Sequence, residues 1–228
     1  MERGPRPKTA MRMFPADPED RALLAGLARH LESGGLLAYP TETVYGLGAS
    51  VTADGVEAVS ALKGREPGKP FIVLLPDGSD EALQGLEMKG YARALADAFW
   101  PGPLTLVLLD GAGRFPESAR NERGGVAVRV SPDPFVGALL TVFGRPLLST
   151  SANRAGEPAA LDAEDLRALD GRPGSERLWV VDGGHLDSAA PSTVVDATGP
   201  RPRVVRPGRI LDDEITKVWA IHQSEGAL

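Results

Sequence analysis

Apolar residues recur along this chain in two rhythms. Leu23, Leu24, Leu27 and Leu31 fall at helical spacing and share one face. Ahead of them Asp17 can cap a helix, Pro18 suits its first turn, and Glu19 and Asp20 complement the positive end of its dipole. Gly34-Gly35 ends it. The same rhythm predicts helices over 54–63, 88–100, 134–143 and 214–222, with a small surface helix over 163–169. Val56, Val59 and Leu62 point inward in the second helix; Tyr91, Leu95 and Phe99 do so in the third. Between them lie apolar runs of strand length at 36–39, 71–75, 104–109, 126–130, 178–181, 193–195 and 204–205, with another beginning at Leu147-Leu148. Alternation in 126–130 sends Val126, Val128 and Val130 to one face, and Ala127 and Arg129 to the other.

Strands and helices mix without strict alternation, and several neighbouring strands read as hairpins. The pattern predicts an α/β fold: a twisted mixed sheet flanked by helices, distinct from a doubly wound nucleotide fold. Residues 1–14, mixing Pro, Arg and Gly, read as a flexible arm. Residues 15–228 read as a single domain, with a surface loop at Gly171-Arg172-Pro173-Gly174-Ser175.

Composition narrows the function. With 42% hydrophobic and 25% charged residues, a globular protein is expected. The formal net charge of -6 argues against a chain whose main task is coating nucleic acid, which needs a basic footprint. The absence of cysteine excludes disulfides, thiolate catalysis and thiolate metal sites. No apolar run approaches the ~20 residues of a membrane helix, and the first residues lack the apolar core of a signal peptide. A cytoplasmic location is the expectation.

Familiar catalytic motifs are missing. Gly64-Arg65-Glu66-Pro67-Gly68-Lys69-Pro70 imitates a phosphate-binding P-loop, but its glycines stand one residue too close and Pro70 replaces the Ser or Thr. His30, His185 and His222 are far apart, lack metal-ligand spacing and read as structural, so no metal site is expected. What remains is a set of polar residues at the ends of apolar runs. Thr41, Glu42 and Thr43 follow the strand 36–39, either facing a ligand crevice or closing a turn on their own backbone. Lys63 and Arg65 follow a helix, as a phosphate clamp or as partners of its dipole. Arg129 either meets a substrate carboxylate or faces solvent. Ser149-Thr150-Ser151-Ala152-Asn153 supplies three hydroxyls and an amide after a buried strand, for anion and ribose binding or for a capped turn. Ser192-Thr193 and Arg206 add further hydroxyls and a cation.

In order along the chain these segments resemble the YrdC family of threonylcarbamoyl-AMP synthases, in its single-domain form. The resemblance covers residues 24–210 and rests on seven landmarks. They are Pro40-Thr41-Glu42-Thr43-Val44-Tyr45-Gly46-Leu47, Lys63-Gly64-Arg65, Trp100-Pro101-Gly102-Pro103-Leu104-Thr105, Val126-Ala127-Val128-Arg129-Val130, Ser149-Thr150-Ser151-Ala152-Asn153-Arg154-Ala155-Gly156, Ser192-Thr193-Val194-Val195-Asp196 and Arg206-Pro207-Gly208. It implies a large concave, locally positive cavity holding threonine and ATP side by side. By position Thr41 or Thr43, Arg129, Ser149 and Ser192 hold threonine. Lys63, Arg65, Lys69, Ser151, Asn153 and Arg206 surround the nucleotide, Lys63 and Arg65 acting in catalysis. Lys69 stands where many members carry Asn, and Leu74 where a His is common. The implied reaction joins threonine, bicarbonate and ATP and releases pyrophosphate. Mg2+ accompanies ATP without a dedicated protein site. Downstream tRNA-modifying proteins are expected partners, with weak RNA binding possible. A non-catalytic RNA-binding module is disfavoured by the acidity, and carbamoyl transfer in hydrogenase maturation by the lack of cysteine clusters.

Overall fold

The computed structural model describes residues 11–65, 71–187 and 190–225. Its strands are β1 (Arg12–Pro15), β2 (Leu36–Tyr39), β3 (Gly46–Ser50), β4 (Ile72–Leu74), β5 (Leu104–Leu109), β6 (Gly125–Arg129), β7 (Leu147–Ser151), β8 (Leu178–Asp182), β9 (Thr193–Asp196) and β10 (Arg203–Arg206). The helices are α1 (Arg21–Glu32), α2 (Ala53–Lys63), α3 (Gly90–Phe99), α4 (Pro134–Phe143) and α5 (Asp212–Glu225). The strands form one mixed sheet in the order β1-β8-β2-β3-β7-β4-β6-β5-β9-β10. The expected twisted mixed α/β sheet with flanking helices is the observed architecture.

Three apolar layers hold it. On one face α1 and α4 pack together over Leu37, Tyr39, Leu74, Leu147 and Val181. The other face is shared. There α2 covers Leu36, Ala38, Leu47, Leu148 and Val180, while α3 and α5 cover Leu104, Leu106, Leu108, Val126, Val128 and Val195. Leu27 and Leu31 of α1 are completely buried, and each contributes roughly 1.5–3 kcal/mol. His30 is structural: its ring stacks on Trp179 at 3.9 Å, and Nε2–H donates to Arg177 O at 2.9 Å.

Four local expectations change. Helix α1 starts later than its first acidic residues suggest. Asp20, not Asp17, caps it by accepting from Leu23 N at 2.9 Å, while Asp17 closes a turn with Glu19 N at 2.8 Å. Arg12 to Phe14, expected in the arm, instead lie in β1, paired in parallel with β8 at the sheet edge. Residues 163–169 are no surface helix but a 3-10 turn, Asp165–Leu169, with Leu166 and Leu169 fully buried. Finally, β3 was hidden by its composition. Gly46-Leu47-Gly48-Ala49-Ser50 has weak strand propensity, yet pairs antiparallel with β2 on one side and β7 on the other. The glycines make room for Tyr39: a Cβ on Gly46 would stand 2.9 Å from its ring, and one on Gly48 would stand 2.7 Å from Leu148 O.

Candidate functional site

Helices α1 and α4 cover only part of their face. Beyond them a cavity of about 360 Å³ opens, lined by Thr41, Thr43, Arg65, Arg129, Ser149, Ser151, Asn153, Ser192 and Arg206, with Ile72 and Gly46 as apolar floor. Eight of these nine residues are among those singled out at strand ends, and the ninth, Arg65, follows α2; Tyr45, Thr150 and Glu157 also line the cavity. They come from five strands or the loops after them, and only the sheet order brings them together. Leu74 belongs to the apolar layer under α1 and α4 instead. Lys69 lies outside the described residues.

The turn after β2 distinguishes its two threonines. Thr41 Oγ1 donates to Val44 O at 2.6 Å and accepts from Thr43 N at 3.2 Å and Val44 N at 3.3 Å. Its single proton is therefore spent on the turn. Thr43 Oγ1 lies 3.1 Å from Thr41 Oγ1 and can donate to it, which leaves Thr43 lone pairs for a ligand. Thr41 closes the turn, and both threonines line the cavity.

Ser149 is oriented from behind. The fully buried Tyr39 hydroxyl donates to Ser149 Oγ at 2.8 Å. Burial pushes the Tyr39 phenol well above its ordinary range, so it remains a neutral donor. Ser149 thus accepts from the protein and keeps its own proton for the cavity. Ser192 is held similarly, 2.8 Å from Thr105 Oγ1. Arg206 donates to Ser192 O at 2.8 Å and Ser192 Oγ at 3.0 Å. A register shift between Val204 and Arg206 turns this arginine toward Ser192.

Arg129 is buried at the end of β6. Its Nε donates to Gly102 O at 3.0 Å, and Nη2 forms an ion pair with Glu42. Ser131 Oγ donates to the other Glu42 oxygen at 3.0 Å. Burial, with a smaller push from Arg206, lowers the guanidinium to about 10. It stays charged at neutral pH.

A second cavity of about 430 Å³ adjoins the first and shares Arg65, Ser151 and Asn153 with it; Lys63, Gly64, Ala155 and Gly156 complete its lining. Arg65 donates from Nη1 to Thr150 Oγ1 at 3.2 Å and lies over the Phe71 ring at 4.6 Å. Lys63 is the last residue of α2, before Gly64 in the left-handed conformation. It neither faces solvent nor reaches outward. Its ammonium donates to Ser151 O, to Asn153 O at 3.0 Å and to Asn153 Oδ1 at 2.7 Å. Three donors meet three acceptors, so Lys63 ties α2 to the end of β7. Ser151 Oγ adds a bond to Asn153 Oδ1 at 2.7 Å.

Burial, and secondarily the nearby Arg65 charge, pushes Lys63 down to about 7. Between that value and the ordinary lysine range the unfolded chain carries a proton that the folded chain lacks. Stability therefore rises with pH across this window. In denaturant titrations from pH 7 to 10, wild type is expected to gain stability relative to Lys63→Met. Parallel curves for the two proteins would show that Lys63 titrates normally.

Periodicity alone could not find Tyr39, Thr105 or Ser131 as parts of this site, and it could not pair Glu42, named with Thr41 and Thr43, with Arg129. Tyr39 reads as a strand core residue and Thr105 as a strand residue, while Glu42 and Ser131 find their partner across 89 residues.

Comparison with known proteins places this geometry. The Sua5/YciO/YrdC family model, described as telomere recombination, matches residues 29–208. The threonylcarbamoyl-AMP synthase of Chromohalobacter salexigens is 43% identical over 176 residues, covering 76% of this chain and 91% of the relative. A putative threonylcarbamoyl-AMP synthase of Mycobacterium tuberculosis is 36% identical over 210 residues, covering 90% and 94%. The crystal structure of Pyrococcus abyssi Sua5 complexed with L-threonine matches with a TM-score of 0.79 at 32% identity, over 92% of this chain and 61% of that one. The chain thus spans about three fifths of the length of that Sua5 chain.

Proposed function

The chain belongs to the Sua5/YciO/YrdC family, and from that premise we propose that it makes L-threonylcarbamoyladenylate from L-threonine, bicarbonate or CO2, and ATP, releasing pyrophosphate. This is the first step of tRNA threonylcarbamoyladenosine modification. The observation that carries the reading is the pair of adjoining cavities. One is built from hydroxyls around a buried arginine, the other is flanked by cations, and Arg65, Ser151 and Asn153 belong to both.

The amine of threonine takes up CO2 to give a carbamate and a proton. A carbamate oxygen attacks the α-phosphorus of ATP, the bond to the bridging oxygen breaks, and pyrophosphate leaves. No protein nucleophile is required, so the protein's share is positioning and charge neutralisation. Arg129 pairs with the threonine carboxylate, with Ser192 beside it. Thr43 and Ser149 offer an acceptor and a donor to the amine and hydroxyl, while Thr41 shapes the turn. Arg65 and Arg206 meet the phosphates, with Ser151 and Asn153 completing the nucleotide side. Lys63 acts through the strand end it holds. Among the described residues lining the second cavity there is no carboxylate. Glu157 lines the adjoining cavity, and Mg2+ would travel with ATP, held chiefly by the phosphate oxygens and water and offsetting their charge.

The acceptor of the product is tRNA adenosine, reached through separate proteins. Among the described residues no helix is long and apolar enough to cross a membrane. The test is pyrophosphate release from ATP. It is expected to need threonine and bicarbonate together, with omission of either lowering it to background. Release that ignores threonine would overturn the assignment.

A further inference from the structure

Resting on the reading of Arg129 as the group that meets the substrate carboxylate, we propose that Glu42 is a positioning residue that sets the aim of this arginine and so the preference for a carboxylate-bearing substrate. Thr41 and Thr43 line the cavity, but Glu42 between them does not. Its side chain, partly exposed, meets Arg129 Nη2. Both carboxylate oxygens are engaged, one by Arg129 and the other by Ser131 Oγ at 3.0 Å. Ser131 also accepts from Asp133 N at 3.3 Å, which anchors it to the start of α4. The Glu42 carbonyl accepts from Arg209 Nη1 at 3.3 Å.

The guanidinium is a planar fork with five N–H donors. Gly102 O takes Nε–H and Glu42 takes the Nη2 side. Two fixed contacts on a planar group settle its orientation, and the Nη1 edge is left for the cavity that Arg129 lines. Glu42 thereby couples two readers of the substrate. The backbone that carries it also carries Thr43, so the hydroxyl turn after β2 and the arginine at the end of β6 move as one unit. Arg129 discriminates only if its fork meets the carboxylate in plane, because a displaced charge binds a carboxylate and a neutral amide more nearly alike.

Glu42→Ala, Glu42→Gln and Arg129→Ala are compared by pyrophosphate release with L-threonine and with L-threoninamide, which lacks the carboxylate charge. Glu42→Ala is expected to raise the threonine KM roughly 10- to 100-fold. Its ATP KM should stay within about twofold, and its preference for threonine over threoninamide should fall toward that of Arg129→Ala. Glu42→Gln keeps one acceptor oxygen for Arg129 and turns an amide N–H toward Ser131 Oγ in place of the second oxygen, so it should fall between. If Glu42→Ala does not fold, Ser131→Ala removes one anchor and is expected to move the preference in the same direction by less. A wild-type preference in the Glu42 variants, with any loss spread equally over threonine and ATP, would overturn the proposal. The control separates two failures. If Arg129→Ala keeps the preference, the reading of Arg129 itself falls. If Arg129→Ala loses it and the Glu42 variants keep it, only the role of Glu42 falls.

Discussion

Arg129→Ala is expected to raise the threonine concentration for half-maximal pyrophosphate release about 30- to 1000-fold. A buried, charge-assisted contact with a carboxylate is worth roughly 2–4 kcal/mol when one partner is truncated. The magnitude is set by burial: the Arg129 side chain is only 7% exposed, so water does not replace the lost contact. Removing the arginine also leaves the Glu42 carboxylate with Ser131 alone, and some loss of melting temperature should accompany the kinetic effect. The specific signature is therefore the split between substrates, with the threonine KM rising far more than the ATP KM. Arg129→Lys should rescue little, because an ammonium cannot serve Gly102 O, Glu42 and a substrate carboxylate in one plane. Unchanged threonine kinetics in Arg129→Ala would place the substrate carboxylate elsewhere.

The second large effect is expected on the nucleotide. Arg65→Ala should raise the ATP KM roughly 10- to 100-fold, with a much smaller change in the threonine KM. Arg65 borders both cavities, bonds to Thr150 and stacks on Phe71. A guanidinium held over a ring and bonded at one nitrogen is restrained in direction, and its planar fork suits a phosphate oxygen pair. Arg65→Lys keeps the charge and loses the stacked fork, so most of the deficit should persist. Steady-state rates over an ATP titration at saturating threonine and bicarbonate measure this. A wild-type ATP KM in both variants would return Arg65 to the simpler role of a dipole partner for α2.

Much of the fold was legible along the chain. The strand runs 36–39, 104–109 and 126–130 contain apolar residues buried on the sheet, and local hydrophobic spacing is the signal that burial leaves. Helices α1 to α5 were legible in the same way, and Asp133 and Thr52 cap α4 and α2 as small polar residues do. The failures share a cause. Strand β3 is composed of residues with little preference for extended backbone and forms because β2 and β7 pair with it on both sides. Its glycines answer to Tyr39, whose ring comes from the neighbouring strand. The start of α1 depended on which of two acidic residues reached a free N–H, and backbone geometry decided that for Asp20.

The candidate site divides along the same line. Residue type and position by themselves singled out groups that line one cavity: Arg129 opposite a core face, Thr41 and Thr43 after a strand, Ser149 and Ser151 at a strand end. They also excluded a P-loop. Tertiary structure alone decided what each group does. It spent the Thr41 proton on a turn and left Thr43 available, and it turned Lys63 inward onto Ser151 and Asn153. It also set Glu42 against Arg129. The physical reason is that periodicity records burial, a property of one residue and its near neighbours. A hydrogen bond or an ion pair is a relation between two residues, and here those pairs are joined only through the order of strands in the sheet.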